Sequence, residues 1–281
     1  MSGALPDGAC DTHCHVFGPE SLFPYDPKRI STPAEAPKEA LFAMHRRYGL
    51  DRAVIVQPNL HGVDNRVTLD AIAASGNAYR GVALVPADVT GEMLQDLDAG
   101  GIRGVRFNFL KHLGLPPSED AIRHIAERIA PLGWHILLHI TPEHLETAWN
   151  YVRRLDVPFV IDHMARIGTA DGLDQPAFKL LLDIVADPRC WVKISGGDRA
   201  SAAGAPFDDA IPFARALLEA SPERTLWGTD WPHPNVRGPM PQETDLVALL
   251  HKIVPEKDRL QQVLVDNPDR LYRFHAPLAA G

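Results

Sequence analysis

The residues of this chain best suited to chemistry begin with a polar stretch, Cys10-Asp11-Thr12-His13-Cys14-His15, at the end of the first apolar run. His13 and His15 are one residue apart, so on a β-strand both imidazoles point to the same face and can converge on one ion or one substrate. Other polar residues stand at the ends of later apolar runs, namely Asn108, His139, His163, Ser195 and Asp230. A single histidine at a strand end is commonly structural, but burying several titratable groups is costly unless they are paired or used. The recurrence therefore predicts an active site.

Such a site needs a scaffold that brings distant strand ends together. Eight short apolar runs, such as Arg52–Gln57 and Trp134–Ile140, alternate with helical patterns along the chain. Continuous apolar runs are typical of parallel strands that are covered on both faces. Eight units in 281 residues favour a (β/α)8 TIM barrel, in which chemistry is located at the carboxyl ends of the strands. We therefore predict one barrel domain over residues 1–281.

An open doubly wound sheet is the alternative fold. It normally has a glycine-rich phosphate turn after the first strand, where this chain has Asp11–His15, so a dinucleotide site is not expected. The proline-containing segment Phe17–Pro37 is predicted to be an ordered loop, and loops of this length inside a domain are usually functional. Gln242–Phe274 is predicted to add two helices, the second followed by Asn267-Pro268.

Composition argues against several classes of partner. The chain is 45% hydrophobic and 23% charged with a net charge of -8, and its longest basic run is Arg46-Arg47, which disfavours nucleic acid and anionic membranes. The three cysteines form no Cys-x-x-Cys pair, which suits a reducing compartment. The N-terminus lacks signal-peptide features, and no apolar run approaches the length of a membrane span. These features predict a soluble, cytoplasmic protein that acts on a small molecule.

Several motifs resemble a known family. Asp11-Thr-His-Cys-His15, Asp162-His163-Met and Gly228-Thr-Asp-Trp-Pro-His-Pro-Asn235 resemble signature stretches of the amidohydrolase superfamily, in its amidohydrolase-2 branch. Phe17-Gly-Pro, His61-Gly-Val-Asp-Asn65, Gly104-Val-Arg-Phe-Asn-Phe-Leu110 and Asp198-Arg199 are further similar to the 2-pyrone-4,6-dicarboxylate lactonases. The likeness runs from about Gly8 to Tyr272. It implies a distorted barrel of the amidohydrolase type that hydrolyses a cyclic ester.

The resemblance also implies a catalytic group. Asp230 stands at the position of the superfamily's strand-eight aspartate and would be the general base that takes a proton from water. His13, His15 and His163 would polarise the lactone carbonyl, either directly or through a metal ion.

Substrate-binding residues follow from the same resemblance. Arg106 and Arg199 match positions where the dicarboxylate lactonases hold substrate carboxylates, for which an arginine fork is geometrically suited. A surface salt bridge is the alternative interpretation for Arg199. His61 and Asn59, in the loop after the second strand, are candidate pocket residues.

The chain departs from the lactonase pattern at two places. His139 stands where those enzymes have a tyrosine and work without a metal, and with His13, His15 and Asp230 it would complete a four-ligand Zn²⁺ site. Alternatively, His139 replaces the tyrosine as a hydrogen-bond donor and no metal is bound. His112 and Ser31 stand where an arginine and a tyrosine are expected, which weakens one carboxylate clamp.

Because of these two departures, several anionic lactones are candidate substrates. We expect a hydrolase for a carboxylated lactone, either 2-pyrone-4,6-dicarboxylate-like or muconolactone-like, from the degradation of aromatic compounds. A sugar acid lactonase and a metal-dependent non-oxidative decarboxylase of the same branch are alternatives. An inactive barrel that only binds a metabolite is disfavoured because Asp230 and all four candidate histidines are present.

Overall fold

The eight predicted strands form one parallel sheet in the computed structural model, which describes residues 3–110, 116–234, 236 and 239–275. The strands, hydrogen-bonded in sequence order, are β1 (Cys10–Cys14), β2 (Arg52–Val56), β3 (Tyr79–Ala83), β4 (Ile102–Asn108), β5 (His135–His139), β6 (Phe159–Ile161), β7 (Cys190–Lys193) and β8 (Thr225–Leu226). The helices are α1 (Lys38–Tyr48), α2 (Arg66–Ala74), α3 (Gly91–Ala99), α4 (Glu119–Ile129), α5 (Leu145–Val152), α6 (Pro176–Val185), α7 (Gly197–Ala200), α8 (Ile211–Ala220), α9 (Glu243–Ile253), α10 (Lys257–Gln261) and α11 (Asn267–Tyr272). This alternation confirms the predicted TIM barrel.

The barrel closes between the chain after β8 and β1. Beyond the two regular residues of β8, the amide of Asp230 donates to the carbonyl of His13 at 2.7 Å, and the amide of His15 donates to that of Trp231 at 2.8 Å. Gly228 permits this approach, because a Cβ at that position would lie 2.4 Å from the amide nitrogen of His13. The closure therefore sets Asp230 beside the two histidines of β1.

A β-bulge in β1 decides which side chains face the barrel interior. The pairing of β1 with β2 shifts its register between Asp11 and Cys14. The carboxylate of Asp11 points to the helical layer, 3.2 Å from Nε2 of His45 on α1, whereas His13 lies next to Asp162 on the inner side. Bulges re-aim side chains near functional sites. Here the bulge separates a structural aspartate from the two histidines.

The apolar residues of the strands form two layers. Val54 and Val56 pack inside the barrel with Tyr272 and Phe274 from the C-terminal segment, whereas Ile55 packs outward against the helices. Because both faces are buried, the strands read as continuous apolar runs.

The C-terminal segment differs from the sequence prediction. Helix α9 is followed by a second helical segment in which α10, a π-helical turn (Gln262–Asp266) and α11 are continuous, so Asn267-Pro268 lies inside this segment instead of after it. Pro268 lacks the N–H that an interior helical position would donate, and the π-helical turn lies directly before it. Within the described ranges, none of the helices has the length and apolar character that crossing a bilayer requires.

Candidate active site

Three histidine rings converge on one carboxylate at the carboxyl end of the barrel. The Nε2 atoms of His13, His15 and His163 lie 3.8, 3.3 and 3.9 Å from Oδ1 of Asp230. All four side chains are buried, and His15, His163 and Asp230 line a cavity of about 330 Å³. The structure thus brings together the predicted catalytic group, whose catalytic roles stay predictions.

Left-handed backbone conformations hold two of these side chains. Asp230 has a φ of 62°, and the four consecutive residues from His163 to Arg166 have φ values between 49° and 55°. Such conformations cost roughly 1–2 kcal/mol per residue and cluster at functional sites. Gly196 leaves room for this turn, since a Cβ there would lie 2.7 Å from the Cβ of His163. The strain therefore serves to direct His163 and Arg166 towards the cavity.

The hydrogen-bond partner of Nδ1 determines whether Nε2 of the same ring can donate or accept a proton. Nδ1 of His15 lies 2.7 Å from the carbonyl oxygen of Val56, and because a carbonyl only accepts, this nitrogen carries a proton. A neutral His15 ring then has its lone pair on Nε2, 3.3 Å from Oδ1 of Asp230, so these two acceptors need a shared donor or a cation between them. Nδ1 of His163 lies 3.1 Å from Oγ of Ser195, the polar residue that the sequence places after the seventh strand.

The electrostatics keep the carboxylate charged and two of the rings neutral. Burial by itself would raise the pKa of Asp230, but the charge of Arg199 is the largest opposing influence, and that pKa is held well below its usual range. Burial lowers the pKa of His163 to about 4 and the pKa of His13 well below its usual value. At neutral pH an anionic base is therefore faced by neutral imidazoles.

The donor atoms fit a divalent metal ion. His13, His15 and Asp230 each offer one ligand atom, and these three atoms lie within 4.8 Å of one another. Two imidazole nitrogens and one carboxylate oxygen are a ligand set that suits Zn²⁺. Within the described ranges Nε2 of His13 is buried without a hydrogen-bond partner, which requires an explanation that a bound ion or ligand would supply. The cluster is therefore compatible with a metal held by these three residues.

The described structure does not bring His139 into this group, so the predicted four-ligand set stays a prediction. Its Nδ1 lies 2.9 Å from Oδ1 of Asn108, and its Nε2 lies 3.3 Å from Nη1 of Arg166. Because Arg166 can only donate, Nε2 of His139 accepts and Nδ1 donates to Asn108. Both ring nitrogens are thus engaged, and His139 is in none of the candidate metal groups among the described residues.

Arg166 is a cavity residue that sequence reasoning missed. Its guanidinium is oriented by a chain of hydrogen bonds that runs from Arg166 to His139 and Asn108 and ends where Nδ2 of Asn108 donates to Oδ1 of Asn59 at 3.0 Å. It lines the cavity. Its position three residues after His163 was visible in the sequence, but the left-handed turn that directs it inward was not.

The two predicted arginines also line the cavity, but each is already paired. Nη2 of Arg106 lies 3.6 Å from Oδ2 of Asp162, and Nη2 of Arg199 donates to Oδ2 of Asp230 at 2.6 Å. The surface salt bridge considered for Arg199 is wrong, because the pair is buried in the site. Both arginines are placed to share their charge with an anionic ligand.

The remaining predicted residues separate into three groups. Asn59 and Ser31 line the cavity. His61 does not, because its Nε2 accepts from the amide of Gly18 at 3.3 Å and its Nδ1 lies 3.1 Å from the carbonyl of Pro24, so it anchors the loop of residues 17–37 over the site. His112 lies outside the described residues.

The chain belongs to the amidohydrolase family, whose model matches residues 10–274. It is 42% identical over 277 residues to the 2-pyrone-4,6-dicarboxylate hydrolase of Comamonas testosteroni, covering 95% of this chain and 91% of that protein. It is 41% identical over 278 residues to a 4-sulfomuconolactone hydrolase of Rhizobium radiobacter, covering 97% and 92%.

A solved structure has the same fold. A probable 2-pyrone-4,6-dicarboxylic acid hydrolase from Acinetobacter baumannii, with citric acid bound, is similar with a TM-score of 0.82 at 26% identity, covering 95% of this chain and 99% of that one. The family predicted from the sequence motifs is confirmed, and the two relatives named above hydrolyse lactones by name.

Proposed function

We propose that this protein is a hydrolase that opens the ring of a carboxylated lactone with a water molecule activated by Asp230. The observation that carries the proposal is the buried carboxylate of Asp230, faced by three histidine Nε2 atoms at the base of a cavity that arginines line. The two relatives named after anionic lactones support it. We place the reaction at this cavity because base, electrophile-binding groups and cations meet there.

Asp230 and His15 together position the water. The carboxylate accepts one proton of the water, and the lone pair of His15 Nε2, 3.3 Å from Oδ1, can accept the other. The water oxygen attacks the lactone carbonyl carbon while Asp230 takes its proton. The ring C–O bond then breaks, and the departing ring oxygen receives that proton from Asp230, which restores the base.

His13 and His163 face the carbonyl oxygen of the lactone in this arrangement. Hydrogen-bond donors aimed at that oxygen stabilise the charge that develops on it. A divalent ion held by His13, His15 and Asp230 would, when bound, supply Lewis-acid polarisation of the same carbonyl.

The arginines select an anionic substrate. Arg106, Arg166 and Arg199 line one cavity, and Lys28 and Arg29 of the loop of residues 17–37 add two more cations at its rim. Guanidinium groups bind carboxylates and sulfonates through paired hydrogen bonds. Ser31 lines the wall without the bulk of a tyrosine, which suits a muconolactone-like substrate as well as a pyrone dicarboxylate.

The test is a comparison of lactones with and without chelator. Purified protein is given 2-pyrone-4,6-dicarboxylate, 4-sulfomuconolactone or an uncharged lactone, and ring-opened product is measured by chromatography. We expect turnover of at least one anionic lactone and none of the uncharged lactone. Release of carbon dioxide without ring opening would instead indicate the decarboxylase alternative.

We further propose that residues 1–281 form one domain and that the enzyme is cytoplasmic, with a link to the degradation of aromatic compounds. The strands of the barrel are drawn from Cys10 to Leu226 without a second sheet in the described residues. Cys10, Cys14 and Cys190 are buried free thiols, which suits a reducing compartment.

A further inference from the structure

A fully buried lysine lies behind the catalytic histidines and has no role in the mechanism above. Lys193 is the last residue of β7, and its side chain is completely buried. Its Nζ lies 2.9 Å from Nδ1 of His13 and 3.0 Å from Oδ1 of Asp162, while that Nδ1 lies 3.1 Å from the same Oδ1. The ammonium and the carboxylate thus compete for one ring nitrogen.

Counting protons favours the ammonium. Burial lowers the pKa of Lys193, but the carboxylate of Asp162 3.0 Å away favours the charged form. The ammonium has three N–H donors and no acceptor, whereas Nδ1 of His13 can either donate or accept. If Nδ1 of His13 carried a proton, its N–H would face an N–H of the ammonium at 2.9 Å, and two donors cannot form a hydrogen bond with each other. Asp162 does not need that proton, since Lys193 donates to its Oδ1 and Nη2 of Arg106 lies 3.6 Å from its Oδ2.

The other side of the ring favours the same arrangement. Nε2 of His13 lies 3.8 Å from Oδ1 of Asp230, with no hydrogen-bond partner among the described residues. A proton on Nε2 is attracted by the carboxylate, whereas a lone pair there is repelled by it. The 3.8 Å separation is too long for a hydrogen bond, so the N–H stays available to an incoming ligand.

We propose that Lys193 is a positioning residue that holds neutral His13 in the tautomer with its proton on Nε2, so that His13 directs a donor towards Asp230 at the base of the cavity. The consequence for catalysis rests on the proposed function, because the donor then stabilises the oxyanion of the opening lactone. In this tautomer His13 has no lone pair for a metal ion. Lys193 therefore weakens metal binding by His13, His15 and Asp230, because His13 must change tautomer before its Nε2 can be a ligand.

Removal of the lysine reverses the tautomer. In Lys193→Met the only remaining partner of Nδ1 in this triangle is Oδ1 of Asp162, 3.1 Å away, which accepts a proton from Nδ1. Nε2 then becomes a lone pair, and the carboxylate–histidine pair resembles the arrangement that supports zinc ligands.

The tautomer is read directly by ¹⁵N NMR of chelator-treated protein labelled only at histidine. The chain has 13 histidines, and the His13 signals are assigned as those missing from His13→Gln. We expect a protonated Nε2 and an unprotonated Nδ1 in the wild type and the reverse in Lys193→Met. A protonated Nδ1 in the wild type overturns the proposal, and this result does not depend on whether the variant folds.

Metal affinity gives a second readout that is independent of activity. Calorimetric titration with Zn²⁺ should show binding tighter by on the order of tenfold to a hundredfold in folded Lys193→Met, the range associated with the partner of a ligating histidine. An unchanged affinity in the folded variant contradicts the proposal. Arg103→Met is the matched control, because Arg103 is a buried cation of β4 that pairs with Asp98, and it should leave both readouts unchanged.

The proposed function is tested separately by lactone turnover. If the wild type shows the expected tautomer but hydrolyses no anionic lactone, the proposed function fails while the role of Lys193 in setting the tautomer stands.

Discussion

Replacing Arg199 should change the pH range in which the enzyme works. Nη2 of Arg199 donates to Oδ2 of Asp230 at 2.6 Å, and both side chains are less than a tenth exposed. Burial by itself would raise the pKa of Asp230, and Arg199 is the largest influence that lowers it. In Arg199→Met the pKa of Asp230 should therefore rise.

The size of the change follows from the geometry. An opposite charge at this distance lowers the pKa of a carboxyl group by roughly one to three units. The base must be deprotonated to act, so activity is lost as the pH falls through its pKa. The wild type should keep its activity in acid, whereas Arg199→Met should lose activity at a pH higher by about one to three units.

The assay is kcat/KM for an anionic lactone from about pH 8 down to the lowest pH at which both proteins stay folded, because the wild-type midpoint lies below the ordinary carboxyl pKa. Loss of a substrate contact lowers the whole profile, but only a change in the base moves its acidic midpoint. Arg166→Met is the control, since its Nη1 contacts His139 instead of Asp230, and it should lower the profile with a smaller movement of the midpoint. An acidic midpoint in Arg199→Met equal to that of the wild type would refute the assigned pairing.

Three further changes test other parts of the structure. Asp230→Asn keeps the shape of the base but removes its function, so kcat should fall by roughly 10²–10⁴-fold in protein that is still folded, although its melting temperature should drop because Arg199 loses its buried partner; wild-type turnover would disprove the role. His61→Leu frees the loop of residues 17–37 at two hydrogen bonds, and we expect a higher KM and faster proteolysis of the loop; unchanged values of both would show that the anchor is dispensable. Burial lowers the pKa of His135 to about 3, whereas in the unfolded chain this pKa is near 6.5. The unfolded state therefore binds a proton first as the pH falls from 6.5 towards 3, and the free energy of unfolding decreases by about 5 kcal/mol over that range. His135→Leu should therefore unfold at lower pH in a denaturation series, and an acid midpoint equal to that of the wild type would contradict this reasoning.

The positions of the strand ends could be predicted from the sequence because the pattern of apolar residues indicates which segments are buried. Apolar runs mark the strands, and a parallel barrel brings the residues at their carboxyl ends together, which is why His163 and Asp230 were found without knowledge of any contact. The same reasoning placed His139 near the cavity, and the family resemblance placed His61 in a loop beside it. It could not assign their hydrogen bonds, because the partners come from other elements.

Local backbone geometry was the other part that the sequence did not predict. Arg166 enters the cavity through four consecutive left-handed residues, a conformation that has no propensity signal in Met164 or Ala165. The bulge that turns Asp11 outward and His13 inward likewise depends on the pairing of β1 with β2. A simple alternation of faces would have put Asp11 in the site beside the histidines.

The three histidines differ in function because the Nδ1 atom of each ring has a different hydrogen-bond partner. His15 is held by a carbonyl, which fixes a proton on Nδ1 and makes Nε2 of the neutral ring an acceptor. His163 is held by the hydroxyl of Ser195, which can donate or accept and so permits either tautomer. His13 is held by an ammonium and a carboxylate, and the balance between Lys193 and Asp162 decides whether it is a donor or a ligand. The His-x-His pattern is therefore compatible with metal-dependent and metal-free chemistry alike, and the residue that distinguishes them is on β7, about 180 positions further along the chain.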